Sequence, residues 1–148
     1  MWKMPKIAAA MRRRMAGLLD EIALFDGVDR MLARLSSRGV AVAIVTSNSE
    51  ENVRAVLSEA NAARIDYYEC GASVFGKRPK LRAALRRSGV GAHEAISIGD
   101  EIRDLEAARR EGIAFGAVSW GYTKPESLIA YSPTEVFGTV AEIASRLR

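Results

Sequence analysis

Two aspartates four residues apart, Asp100 and Asp104, open a helical stretch directly behind the apolar run Ile96-Ser97-Ile98-Gly99. Residues i and i+4 of a helix share a face, so both carboxylates can converge on one point. Hard oxygen donors at the carboxyl end of a strand suit Mg²⁺ held open for a phosphate ligand. Acids in a first helical turn also serve simply as complements to the helix dipole. A second group lies earlier, where Thr46-Ser47-Asn48 follows an apolar run ending at Val45. A hydroxyl and free backbone N–H groups at a helix start bind an anion, and the same residue types also make ordinary caps. Between the two groups stands Phe75-Gly76-Lys77-Arg78-Pro79-Lys80. A lysine after a glycine turn and before a helix can reach inward to neutralise a phosphate, and Lys77, Arg78 and Lys80 compete for that role.

The elements that must position these groups follow from apolar periodicity. Residues 5–22 read as an amphipathic helix, with Pro5 at its start and Ile7, Met11, Met15, Leu18 and Leu19 on one side. Phe25-Asp26-Gly27 marks a turn into a helix over 28–37 that ends near Gly39. Residues 40–45 are apolar on both faces, which predicts an internal parallel strand. A helix over 49–60 opens with Ser47, Asn48 and Ser49 and carries Glu50 and Glu51 in its first turn. Then come a short strand over 65–70, a helix over 79–88, a buried strand over 95–99 and a helix over 102–111. A strand over 113–118, a loop beyond Gly121, a short strand over 135–137 and a helix from Val140 complete the chain. Strands alternating with helices predict an α/β fold, a three-layer Rossmann-like parallel sheet with right-handed crossovers.

Composition narrows the functional classes. The 148 residues, 49% hydrophobic and 27% charged, suit one soluble domain with a single core. A single cysteine, Cys70, excludes an internal disulfide framework and fits a reducing, cytoplasmic setting. A single histidine, His93, argues against a zinc cluster or a Ser-His-Asp triad. The net charge is +4, but the arginines fall at helical spacing rather than in a basic run with aromatics, so no nucleic-acid partner is expected. No apolar run is long enough to span a membrane, and Arg12, Arg13 and Arg14 interrupt the first one too soon for a signal peptide.

In this order, a hydroxyl after a strand, a lysine and an acidic strand end resemble the haloacid dehalogenase superfamily. Val42-Ala43-Ile44-Val45-Thr46-Ser47-Asn48 is similar to its second motif, Lys77 to its third, and Gly99-Asp100-Glu101-Ile102-Arg103-Asp104 to its fourth. Phe25-Asp26-Gly27-Val28, Phe75-Gly76-Lys77 and Val118-Ser119-Trp120-Gly121-Tyr122 resemble the phosphoglycolate-phosphatase-like branch. The resemblance covers residues 24–148, and residues 5–22 look like the last helix of that family's helical cap. The domains it implies are a cap remnant over 1–22 and an α/β core over 23–148. It implies Mg²⁺-dependent hydrolysis of a small phosphorylated metabolite through an aspartyl-phosphate, with phosphoglycolate as the first candidate. On the same resemblance Thr46, Ser47, Asn48 and Lys77 bind phosphate, Lys77 and Thr46 also serving catalysis. Asp100 ligates Mg²⁺, and Asp104 ligates it through water or orients the ligands.

The family's first motif, an Asp-x-Asp after an early apolar strand, is missing. Leu24-Phe25-Asp26-Gly27-Val28 echoes it, but Leu24 has no nucleophilic atom and no apolar strand precedes it. Asp26 therefore reads as a turn residue. In the family that segment is also the central strand, so the strands around Ile44 and Ile98 are expected to flank an unfilled slot. The chain then reads as a fragment of a longer protein, inactive by itself. A non-catalytic relative that binds phosphate or a partner is the alternative, with an ester-forming dehalogenase behind it. A homodimer through the 5–22 helix is open. His93 reads as a surface residue and Cys70 as strand-end packing, while Trp120 and Tyr122 either line the site's mouth or pack against the terminal helix.

Overall fold

The computed structural model describes residues 22–147. The helix expected over 5–22, and the dimer contact expected of it, lie outside those residues but for Ile22. The described chain opens through a turn at Asp26 and Gly27 into helix α1 (Val28–Ser37). Gly27 takes φ +86° at the helix start, a conformation that costs a side-chain-bearing residue energy. Strand β1 (Ala43–Val45), helices α2 (Glu50–Val56) and α3 (Glu59–Ala62) and strand β2 (Tyr67–Glu69) follow. Helix α4 (Arg78–Ser88), a 3₁₀ turn (Ala92–Glu94), strand β3 (Ile96–Gly99) and helix α5 (Ile102–Arg110) come next. Strand β4 (Ala114–Val118), helix α6 (Pro125–Ile129), strand β5 (Glu135–Phe137) and helix α7 (Val140–Arg146) complete the order.

All strand pairs are parallel, with β1 beside β2 and with β3, β4 and β5 in sequence order. Helices cover both faces, which makes the three-layer α/β arrangement that the alternating pattern predicts. On one face Leu81, Leu105 and Leu128 of α4, α5 and α6 pack with Phe115 and Ala117 of β4. On the other, Leu32 of α1 packs with Leu57 and Ile65, and Ile143 of α7 with Val118 and Phe137. Leu105, Leu128 and Phe137 are fully buried. Each stabilises the fold by about 1.5–3 kcal/mol through apolar surface removed from water.

Burial is uneven across the sheet. Four of the five residues of β4 are buried, whereas none in β1 or β3 is. The difference has a direct cause: among the described residues β1 and β3 have no strand between them, and a cleft of about 690 Å³ separates the two sheets.

Three sequence expectations need correction. Residues 49–60 do not form one helix, because Leu57 is extended and the Ser58 hydroxyl accepts from the Asn61 N–H at 3.2 Å, capping a new helix. Serine competes for backbone donors in this way and prefers a cap to a helix interior. The segment beyond Gly121 is not all loop, since Pro125 starts the short helix α6, which buries Leu128. Strand β1 is shorter than the apolar run 40–45, because the Val42 N–H donates to the Asp66 carboxylate at 2.8 Å instead of to a strand.

Candidate active site

The carboxyl ends of β1 and β3 meet at the start of α4. Lys77 caps that helix just after Gly76, which turns the chain with φ +71°. Its ammonium points inward and donates to Asp104 Oδ2 at 2.8 Å, with 27% of the lysine side chain and 10% of the aspartate exposed. Of the three neighbouring basic residues, Lys77 is the one that pairs with an aspartate of the acidic cluster. Arg78 pairs at 2.7 Å with Glu111 at the end of α5. Lys80 donates to the carbonyls of Thr46 and Gly71 and so ties α4 to the loops after β1 and β2.

Thr46 follows β1, and its N–H donates to Glu69 O at 3.1 Å, extending the β1–β2 ladder by one residue. Its hydroxyl accepts from the Asn48 N–H at 3.1 Å, and Asn48 O accepts from the Gly71 N–H at 2.6 Å. Asn48 is therefore engaged in holding the loop, and the Ser49 hydroxyl, not Asn48, caps α2 by accepting from the Asn52 N–H at 3.2 Å. Ser47 is exposed and shares a small pocket of about 250 Å³ with Lys77, Lys80, Arg103 and Asp104.

Asp100, Glu101 and Asp104 each offer one carboxylate oxygen within 4.8 Å of the others. Asp100 is fixed by a 2.5 Å hydrogen bond from the Tyr122 N–H. Gly121 makes room for it, because a Cβ there would collide with the Asp100 side chain. Glu101 is the residue that the sequence reading passed over as an oxygen donor; its adjacency to Asp100 was the available signal. It also pairs with Arg103 at 2.6 Å. Asp104 Oδ1 is buried without a hydrogen-bond partner. A buried carboxylate oxygen left unsatisfied costs energy, and a hard cation would relieve it, so the donor set fits Mg²⁺.

Other singled-out residues stand apart from the cluster. Asp26 is exposed in its turn. The Cys70 thiol is held above its ordinary range, first by burial and then by the charge of Glu50, so it stays protonated and unreactive at neutral pH. His93 is exposed in the 3₁₀ turn. Trp120 packs with the cluster around Ile143 and Leu147 and meets Phe25 edge-on at 6.4 Å, whereas Tyr122 is 91% exposed.

A sequence model of the haloacid dehalogenase-like hydrolases matches residues 1–118. The chain belongs to that family. It is 31% identical over 143 residues to a phosphoglycolate phosphatase of Synechococcus elongatus, covering 96% of this chain and 68% of that protein. A phosphoglycolate phosphatase of Xanthomonas campestris is 33% identical over 116 residues, 76% of this chain and 52% of its own length. The chain thus spans about two thirds of the first of these haloacid dehalogenase-like relatives and about half of the second. A haloacid dehalogenase-like family hydrolase from Streptococcus pneumoniae superposes with a TM-score of 0.83 at 22% identity, covering 100% of this chain and 72% of that one, which supports the shared fold. No described helix is long and apolar enough to cross a membrane.

Proposed function

We propose that this chain is the phosphate- and metal-holding core of a phosphomonoester hydrolase acting on a small phosphorylated metabolite in the cytoplasm. Phosphoglycolate is the leading substrate because curated relatives carry that name. The observation that carries the reading is the Lys77–Asp104 pair, 2.8 Å apart, beside the carboxylates of Asp100 and Glu101 and the Thr46 loop. Asp100 and Asp104 would hold Mg²⁺, which when bound offsets charge on the phosphoryl group. Lys77, held beside Asp104, would offset charge on the same group as a fixed cation. The Thr46 hydroxyl and the Ser47 backbone orient the phosphate oxygens, and Asn48 holds their loop in shape. Lys80 serves that loop as a brace, not as the phosphate cation.

A carboxylate must attack phosphorus, and among the described residues the clustered acids are all assigned to the metal side. On this reading none of the clustered acids among the described residues is the nucleophile, and the chain alone is expected not to turn over. The same observation favours one alternative, a non-catalytic relative that binds phosphate or a partner through the retained pocket. Hydrolysis of p-nitrophenyl phosphate with Mg²⁺, run beside Asp100→Ala, tests the proposal. The expected result is a folded chain without turnover that binds Mg²⁺ through Asp100. Turnover abolished by Asp100→Ala would place a nucleophile within the chain and overturn the assignment of Asp26 to a turn.

A further inference from the structure

The loop after β4 holds Asp100 in three ways. The Tyr122 N–H donates to Asp100 Oδ2 at 2.5 Å and the Thr123 N–H to Asp100 O at 3.3 Å, so the loop fixes the carboxylate and its backbone together. Gly121 lies against the same side chain, where any Cβ would collide. The loop itself has few means of attachment here, since Gly121 has no side chain and Tyr122 is 91% exposed. Trp120 supplies one by packing against the cluster of Val118, Phe137 and Ile143. Its ring also meets that of Phe25 edge-on, with centroids 6.4 Å apart. Phe25 is 60% exposed, and its carbonyl accepts from the Val28 N–H at 3.2 Å, which shapes the turn into α1. A series of contacts therefore runs from that turn through Trp120 and the 121–123 backbone to Asp100.

We propose that Trp120 is a positioning residue for Asp100, and that Phe25 couples the turn before α1 to the metal site through it. Trp120 acts through the backbone that follows it. Its seat on the core sets where the Tyr122 and Thr123 N–H groups stand, and they set the rotation of the Asp100 carboxylate. Mg²⁺ demands near-ideal placement of its oxygen ligands, so a small shift of one carboxylate is felt as affinity. An edge-to-face aromatic pair is strong enough to bias the population of such a loop by up to about tenfold. Coupling of this kind is reciprocal: what orders the turn strengthens cation binding, and cation binding orders the turn by the same factor. The effect on the metal rests on the phosphatase reading; the hold on Asp100 does not.

Amide exchange followed by NMR and calorimetric titration with Mg²⁺ test this on the full chain and on Phe25→Ala, Trp120→Ala and Trp120→Phe. Trp120→Ala should speed exchange of the Tyr122 and Thr123 amides and weaken Mg²⁺ binding roughly fivefold or more, and Trp120→Phe should restore most of both. Phe25→Ala removes a largely exposed ring, so it keeps the test open should Trp120→Ala fail to fold. It should weaken Mg²⁺ binding by about two- to fivefold. A merely structural role would loosen β4 as well, whereas here the β4 amides keep their protection. Mg²⁺ should slow exchange of the Val28 amide in the parent and leave it unchanged in Phe25→Ala. Unaltered Tyr122 and Thr123 exchange in every folded variant overturns the positioning role, and Mg²⁺ affinity unmoved by Phe25→Ala overturns the coupling. A parent that binds no Mg²⁺ removes the phosphatase reading and the coupling together, while exchange of the same two amides still decides the hold on Asp100.

Discussion

Two lysines three residues apart do different work. Lys77 faces Asp104, whereas Lys80 donates to two backbone carbonyls from separate loops. Removing Lys80 strands those carbonyls and should lower stability by about 1–3 kcal/mol. Denaturant melts of Lys80→Met should register that loss. Lys77→Met should instead lower affinity for inorganic phosphate at least roughly tenfold, the loss of one charge-assisted contact. Calorimetric titration with phosphate separates the two variants, and equal phosphate affinity in Lys77→Met would contradict the assignment. Gly121 makes a third residue-scale test. A methyl group there displaces Asp100, so Gly121→Ala should weaken Mg²⁺ binding while phosphate contacts at the Thr46 loop persist. Lys77 and the two aspartates were legible because each needs only a strand end and a helix start. Which of three neighbouring bases turned inward was not, since that depends on where Glu111 and the loop carbonyls lie in space.

At the scale of elements, Glu111 locks α4 to α5. It accepts from Arg82 at 2.6 Å and Arg78 at 2.7 Å, and these hydrogen bonds, Arg82's first, hold its carboxyl below the ordinary value of 4.5. A carboxyl with a lowered folded pKa contributes stability above its unfolded value and loses it as pH falls through the folded one. Glu111→Gln should therefore melt below the parent at neutral pH. The gap between them should shrink steadily below pH 4.5, which thermal melts across pH would follow. A constant gap down to low pH would show that packing, not charge, joins the helices. The elements themselves were largely legible. Helices α1, α5 and α7 and strand β5 rise from clear apolar periods and turn residues. The break at Leu57 and the short helix α6 were missed for one reason: both depend on local capping and on burial of a single leucine, which leave little periodicity behind.

For the whole molecule, the three-layer parallel arrangement followed from alternation alone, and the open slot between β1 and β3 among the described residues followed from the absent first motif. The exposure of apolar strand surface that goes with that slot was legible as well. Strands composed as internal strands end half-exposed, while β4, with neighbours on both sides, is buried. Amide exchange should rank β4 well above β1 and β3 in protection for the chain alone, because a strand paired on one side opens more readily.

The proposed function stands on a Mg²⁺ site formed by Asp100 and Asp104 beside Lys77. Calorimetric titration of the chain with Mg²⁺, beside Asp100→Asn, tests it most directly. The parent should bind one ion, more tightly with inorganic phosphate present, and Asp100→Asn should lose that binding while melting no lower in chelator. Unaltered Mg²⁺ binding by Asp100→Asn would contradict the claim.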